Sequence, residues 1–527
     1  MSVPDILVPK TLERAVDVTV ETNILEPVSH QYSSAVGGVT RFVLPAKGVL
    51  DAPNSTINFE IVNGNELVDG ADGRVMFPYW SGGLSCFNKI TCRVGGQVLS
   101  AIQHAGLYAT MKTGFKSVDY RANVLDVRHG SSNMAEVRTV NHSTTSQDNF
   151  TNPVTAQGYS QVMNPTLDQS SIYGAMCGGI SSNTTHTPQT NKLIKAYSNR
   201  RKGPEVSIRL ADLFPYFESN MLPLLGMAQV ELVFEWNPSV VMTKPRDHAS
   251  SYDNIVIPVD PAALDNSTGY EATFASPPFL SMDYLHYNEQ ERMKIMDEIG
   301  KGLTMNFREV VFTKGINQAN DAANAAVSSS HLLGMAGKEV QNIYVLKDAK
   351  NTAAVANNPN YNRNKILHKW KSQQSYNEAY NVFINNQKIY NRDVSNPATQ
   401  YNYMTQCDSK WHCVPTEYDT MNYNTNLSNV LLNTNQVGAV DGDANNNGLT
   451  AARLPGTKHV IGIPLMKHPG LGNAVGNGER IGSAPIEFTY QNDKAQDRNP
   501  GITELMFFIE HRRSMVITPL GVTVSDQ

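Results

Sequence analysis

VGGQVL at Val94–Leu99 and INNQKI at Ile384–Ile389 share one pattern: an apolar residue, two turn formers, a Gln, any residue, and an apolar residue. Gly95-Gly96 and Asn385-Asn386 both suit the tight two-residue hairpin, whose central residues need positive φ. Each copy follows a strand-like run and precedes a segment with a tyrosine, Tyr108 in one and Tyr401 in the other. Each copy therefore predicts strand, reversal, strand.

Working outward, further runs match in the same order. TINFEIV (Thr56–Val62) pairs with VQNIYVL (Val340–Leu346), and VSIRLADLF (Val206–Phe214) pairs with VIGIPLM (Val460–Met466). MAQVELVFEWN (Met227–Asn237) pairs with SAPIEFTYQND (Ser483–Asp493), and FLSMDYLHY (Phe279–Tyr287) with LMFFIEHRR (Leu505–Arg513). Partners lie farther apart early in the chain than late, so the first copy carries the longer loops. Many of the runs alternate apolar and polar residues, the mark of a strand with one buried face. In QVELVFEW, Val230, Leu232 and Phe234 are expected to point one way and Glu231, Val233 and Glu235 the other. A fixed-order repeat of this size implies a duplicated unit. Roughly eight strands per unit with long connections fit a jelly roll, in which two packed sheets bury the alternating faces.

The fold class expected is therefore all-β: two tandem eight-stranded antiparallel jelly rolls with long loops and a few short helices. The expected division is an N-terminal arm over 1–34, a first jelly roll over 35–287 and a second over 288–527. NEQERMKIMD at 288–297 opens the second as a short linker helix, with Asn288 as cap and Glu291 three residues on. Further short helices are expected after Ala101, through HAGLYATMK, and near Leu210–Asn220. Long polar linkers are read at Asp119–Asn199, Asn237–Tyr270, Ile316–Ser330 and Tyr418–Leu449.

Composition agrees. Across 527 residues only 17% are charged, against about 25% in ordinary globular chains. Asn, Thr, Ser and Gly fill the gap, and that mix favours strands and loops over long helices. Net charge is −5, and the only basic runs are Arg200-Arg201-Lys202 and Arg512-Arg513. Phosphate contacts supply most nucleic-acid affinity, so no sequence-specific nucleic-acid role is expected. The opening MSVPDILVPKTLERAV has neither a basic start nor a long apolar run, so no leader is expected. No stretch of about 20 apolar residues suggests a membrane span. Five cysteines, an odd and low number for this length, suit folding in a reducing compartment.

Residues that could carry catalysis or bind metal do not fall into working patterns. Asp441, Asp443 and Asn445 occupy positions one, three and five of a calcium-type loop, but Asn446 stands where the sharp turn wants Gly and Ala452 where the bidentate Glu belongs. Cys407, His412 and Cys413 lack zinc spacing. HPGLGNAVGNGE (His468–Glu479) lacks dinucleotide spacing. His104, His129, His286 and His459 are scattered. Asp283 with Glu289 or Glu291 is the only acid pair worth weighing for sugar hydrolysis, and it is disfavoured. No catalytic, cofactor or metal residue is assigned, no cofactor is expected, and the chain is not read as an enzyme.

Three segments resemble the double jelly-roll major capsid proteins of virophages, polinton-like viruses and the nucleocytoplasmic large DNA viruses. They are MDYLHYNEQERMKIMDEIGKGLTMNFREVVF (Met282–Phe312), YNVFINNQKIYNRDVSNPATQYNYM (Tyr380–Met404) and FPYFESNMLPLLGMAQVELVFEW (Phe214–Trp236). In the first, Leu285, Glu291 and Arg292 sit where the family pattern wants them. With the C-terminal FFIEHRRSMVITPLGVTVS, the likeness spreads over most of the chain. The resemblance implies homotrimers that present six jelly rolls as a pseudo-hexagonal tile of an icosahedral shell, in the virion of a double-stranded DNA virus assembled inside the host cell. It implies neighbouring trimers, penton and minor capsid proteins as partners, and leaves open an internal membrane. The arm, with Val3, Ile6, Leu7, Val16, Val18 and Val20 as candidate interface residues, is expected to act as an extended clasp and added strand. Two other readings stand beside this one. A carbohydrate-binding or glycan-cleaving β-sandwich protein would want clustered tryptophans, whereas Trp80, Trp236, Trp370 and Trp411 are spread out. A minor vertex or spike protein would want one jelly roll.

Overall fold

Both hairpin turns form. In the computed structural model Gly95 and Gly96 have φ of 55° and 83°, and Asn385 and Asn386 have 52° and 63°, the two consecutive positive angles that match the right-handed twist of flanking strands. The residues described are 18–33, 36–63, 82–113, 115, 128–129, 205–219, 221–237, 243–244, 257–258, 272–317, 326–349, 378–407, 460–466, 477–493 and 503–526.

The first turn joins β4 (Phe87–Val94) to β5 (Gln97–Gln103). Before them come β1 (Val18–Leu25), β2 (Gly37–Leu44) and β3 (Thr56–Asn63). After them come β6 (Glu205–Arg209), β7 (Val230–Trp236) and β8 (Phe279–Tyr287). The second half holds β9 (Leu303–Asn317), β10 (Ala326–Leu333), β11 (Glu339–Ala349), β12 (Ala379–Ile384), β13 (Gln387–Lys388), β14 (Ile461–Pro464), β15 (Ile486–Asp493) and β16 (Thr503–Thr518).

Pairing is antiparallel throughout. The first unit has sheets in the order β1-β8-β3-β6 and β2-β7-β4-β5. The second has β9-β16-β11-β14 and β10-β15-β12-β13. Adding eight to every label of the first unit reproduces the second, so the duplication read in the sequence is a duplication of topology. This strand order in two facing sheets is a jelly roll, and the fold is a tandem pair of them.

Short strands extend the edges. Ser29–Ser33 pairs with β2, Ala272–Phe274 continues beside β3, Val49–Leu50 lies on β8, Glu479–Arg480 on β11 and Gly521–Asp526 on β16. Two expectations are corrected. Residues 18–33 lie in the stretch read as an arm with an added strand at Val18 and Val20, and the strand forms within the first unit itself: β1 pairs with β8 and occupies the place that β9 occupies in the second. The polar linker read at Ile316–Ser330 is shorter, because β9 runs to Asn317 and β10 starts at Ala326. Its serines mislead because they alternate on an edge strand, where one row meets water.

Inside the first sandwich Val230, Leu232, Phe234 and Trp236 are buried, as the alternation of β7 requires. An aromatic cluster fills the centre. Trp236 lies 4.8 Å from Phe87, 5.2 Å from Phe59 and 4.9 Å from Phe274, ring centre to ring centre. Its indole N–H donates to Thr40 Oγ1 at 2.7 Å, so the polar end of the ring is satisfied. The second sandwich has its own interior, built from Ile343, Val345, Val382, Phe488, Phe507 and their neighbours.

Three helices matter. α1 (Ala105–Thr113) follows β5 and α3 (Pro397–Gln406) follows β13, at equivalent places in the two units. α2 (Glu289–Lys301) links the units and is longer than the expected 288–297. Asn288 caps it by accepting from the Glu291 N–H at 2.9 Å, and Gly302 closes it at φ 90°. Such a cap contributes about 1 kcal/mol. The Glu291 carboxylate turns to Lys294 instead of completing a capping box. The sequence signal for α3 is Asn396-Pro397: Asn396 accepts from the Ala398 N–H at 2.8 Å, and Pro397 sits in the first turn, where its missing N–H costs nothing.

Candidate functional site: the joint between the sandwiches and the faces left open

β16 reads TELMFFIEHRRSMVIT and is apolar on both sides. Leu505, Phe507 and Ile509 enter the interior of the second sandwich. Met506, Phe508 and Glu510 alternate with them and are buried too. What covers this outward row is the first unit. Tyr108 of α1 lies against Phe508, with ring centres 5.7 Å apart, and Phe312 of β9 packs beside Phe508 at 5.0 Å. His104 meets Phe312 at 4.4 Å, Phe115 meets Tyr344 at 5.9 Å, and Tyr216 meets Phe307 at 5.0 Å. The two sandwiches therefore share a continuous core.

A charged cluster sits in this apolar joint. Glu510, fully buried, accepts from the Tyr108 hydroxyl at 2.6 Å on one oxygen and from Asn342 Nδ2 at 2.7 Å on the other. Lys112 Nζ lies 3.4 Å from the first oxygen and Arg308 Nη1 3.6 Å from the second. Tyr108 and Lys112 come from the first unit, Arg308, Asn342 and Glu510 from the second. Burial alone would raise the Glu510 pKa, but Arg308, Lys112 and the two hydrogen bonds overcome it and hold the carboxyl at about 2. For Arg308 burial works against the charge as well, and Glu510 more than restores it. Burial and the same carboxylate push the Tyr108 hydroxyl well up, so it stays a donor. Such a cluster contributes little net stability, because desolvation offsets most of the attraction. Its effect is to penalise any other seating of one sandwich on the other, since a shift would strand a charge away from water.

A second carboxyl stands at the edge of the joint. Glu309 of β9 is buried and accepts the Ala101 N–H of β5 at 3.0 Å. Arg513 donates from Nη1 to the Leu99 carbonyl at 2.8 Å. Burial pushes the Glu309 pKa up to about 7, against the Ala101 and Ser100 hydrogen bonds and the charges of Arg513 and Lys338, which lower it.

Among the described residues the equivalent face of the first sandwich is only partly covered. On β8, Leu280, Met282 and Tyr284 are buried, while Ser281, Asp283 and Leu285 form the outward row. Val20 of β1 is in register with Leu285 and Ile24 with Ser281, and both are open to solvent, 62% and 69% exposed. Thr22, between them, donates to Asp283 at 2.7 Å. The helices differ in the same sense. Of the nine residues of α1, seven are buried, whereas α3 presents Ala398, Asn402 and Gln406 to solvent.

The remaining sequence candidates resolve as follows. Val18 and Val20 lie on β1; Val3, Ile6, Leu7 and Val16 lie outside the described residues, as do Asp441, Asp443, Asn445, His412, Cys413, His459 and His468. Cys407 is buried, its carbonyl accepting from the Tyr344 hydroxyl at 3.2 Å. Asp283 is engaged by Thr22, and Glu291 pairs with Lys294 at 2.8 Å on an exposed helix, so the weighed acid pair is not assembled. Among the described residues no group of three His, Cys, Asp or Glu side chains is placed to hold a metal ion. Glu510, Arg308 and Glu309 were not singled out from the sequence. The signal was there, because a lone Glu after FFI in a strand apolar on both faces must be buried and must find cations.

These two units and their buried joint define a double jelly-roll protein. Solved structures of viruses and viral proteins are among those similar to this chain. The chain aligns over 98% of its length with 90% of a chain in the 3.5 Å structure of the Sputnik virophage, at 11% identity and a TM-score of 0.51. PBCV-1 VP54, fitted into a reconstruction of the virophage Sputnik, aligns over 98% of this chain and 99% of its own at 10% identity and a TM-score of 0.49. The Faustovirus major capsid protein aligns over 97% and 92% at 8% identity and 0.49. No family model matches the sequence, and no curated protein matches it.

Proposed function

We propose that this chain is the major capsid protein of an icosahedral double-stranded DNA virus, acting as a homotrimer whose six jelly rolls form a pseudo-hexagonal tile. The observation that carries the reading is the welded pair. Two copies of one sandwich, joined through a shared core with a buried ionic cluster, make a stiff block with two near-equivalent corners. Three such blocks give six corners, and a six-cornered plate covers a flat facet. Its chemistry is self-association, not catalysis. Partners would be neighbouring copies, then penton and minor capsid proteins at the vertices, with no sequence-specific contact to nucleic acid. The residues before β1, with Val3, Ile6, Leu7 and Val16, would serve as a clasp that reaches adjoining copies.

The native mass of the purified protein tests this. A stable species near three times the chain mass of 58.0 kDa is expected, seen as a six-lobed particle by electron microscopy. A monomer at micromolar concentration overturns it. Removing residues 2–17 should leave the trimer intact and lower the yield of closed shells; unchanged shell yield removes the clasp from the proposal.

A further inference from the structure

We propose that Lys347 and Glu378 of the second sandwich join in an amide cross-link, formed by the chain itself, that ties one sheet of that sandwich to the other. Nothing in this depends on the trimer reading. The interior rows of three strands lead to the site. On β11, Ile343 and Val345 enter the core, and Lys347 is the next residue of that row. On β12, Tyr380 and Val382 enter it, and Glu378 stands two residues before Tyr380, just ahead of the strand. On β15, Phe488 and Tyr490 enter it. β11 pairs with β16 in one sheet, while β12 pairs with β15 in the sheet that faces it. Strand alternation thus brings an amine, a carboxyl and a phenol to one end of an apolar interior.

The burial is deep. The Lys347 side chain is 3% exposed and that of Glu378 1%. Among the described residues no other lysine is buried. The Lys347 ammonium touches Glu378 Oε2 directly. The Tyr490 hydroxyl donates to the same oxygen at 3.0 Å, and the Tyr490 ring centre lies 5.9 Å from Nζ. Two charges are costly to hold in such surroundings, and a hydrogen-bonded neutral group is far less so. The reaction needs only the atoms present. The ammonium passes one proton to Oε2, and the freed lone pair of Nζ attacks Glu378 Cδ. The new C–N bond forms, a second proton moves from nitrogen to Oε2, and the Cδ–Oε2 bond breaks. One water leaves, the amide keeps the third proton, and nothing is oxidised or reduced. Tyr490, bonded to the oxygen that departs, draws charge from the carboxyl and steadies the leaving group. Reactants held in contact this way act at effective concentrations that reach on the order of 10⁵ M, and the water escapes to bulk. The linked residues are 31 apart in sequence, so the amide would keep β11 and β12 together even when the sandwich opens.

Trypsin digestion of the denatured full-length protein, read by mass spectrometry, tests this. Segments 339–350 and 372–388 each lie between tryptic sites. They are expected as one branched peptide, lighter than their sum by one water, with no cleavage after Lys347. Cleavage after Lys347, with the two segments recovered apart, overturns the inference, and this measurement requires no variant to fold. Lys347→Arg keeps a cation beside Glu378 but removes the amine, so the branched peptide should vanish. If it persists in that variant, the link lies elsewhere and the assignment fails. Tyr490→Phe, followed over time in freshly synthesised protein, should slow formation of the branched peptide on the order of 100-fold. An unchanged rate overturns the part given to Tyr490.

Discussion

Replacing Glu510 by glutamine lowers the free energy of unfolding by about 3 kcal/mol, measured by urea titration at pH 7. Loss of one partner from a buried ion cluster typically costs about 3–5 kcal/mol, because the remaining charge has been taken out of water without compensation. The low end applies here. Lys112 and Arg308 keep 15% and 13% of their side chains exposed, so water can reach the stranded cations, and glutamine still accepts a hydrogen bond from Tyr108 or Asn342. The pH dependence follows from the direction of the shift. The folded pKa of about 2 lies below the unfolded value of 4.5, so the stability contributed by the ionised carboxyl is present above about pH 4.5 and is lost as pH falls toward 2. Wild type and variant should therefore converge in acid. A difference below about 1 kcal/mol at pH 7 would remove the cluster from any role in holding the sandwiches together.

Glu309 behaves in the opposite way. Its folded pKa of about 7 lies above the unfolded value of 4.5, so between these values the folded chain holds the proton more tightly. The stabilisation is complete below about pH 4.5 and is lost progressively as pH rises through 7. A difference of this size corresponds to about 3 kcal/mol at 1.36 kcal/mol per pH unit. Glu309→Gln, which mimics the protonated carboxyl and can still accept from the Ala101 N–H, should leave stability unchanged near pH 4.5 and raise it by about 2–3 kcal/mol at pH 8.5. Denaturant midpoints measured across pH 4.5–8.5 decide it, and parallel curves for the two proteins would show that the Glu309 carboxyl does not titrate in this window.

Much of the architecture is legible in the sequence, and the reason is physical. Alternation in β7 and the turn pairs Gly95-Gly96 and Asn385-Asn386 are local signals, each set by backbone geometry that no tertiary contact overrides. Their order along the chain was enough to recover the duplication. What could not be read is what lies on the outward face of a strand. Met506, Phe508 and Glu510 look like any second row of a strand, and only the position of α1 shows them to be interior. The start of the first unit was misjudged for a related reason. The alternation of VTVETNIL signals a strand, but which chain element it joins is not a local property: only the register with β8, and Glu21 bound to Lys47 and His286, place it in the first sandwich. α3 carries only a weak sequence signal, because its polar, Tyr- and Asn-rich residues have low helix propensity.

The duplication also bears on how quickly the proposed trimer would form. Each chain completes the contact between its two sandwiches while it folds, at the effective concentration set by the short α2 tether, which for short linkers is on the order of millimolar. In the trimer proposed above, the contacts between the two sandwiches of each chain would thus be first-order events, independent of protein concentration. Its assembly then needs the meeting of three bodies instead of six, so its rate would fall far less steeply on dilution than it would for separate single sandwiches. Two sandwiches in one chain would in this way lower the protein concentration at which the proposed trimer first appears.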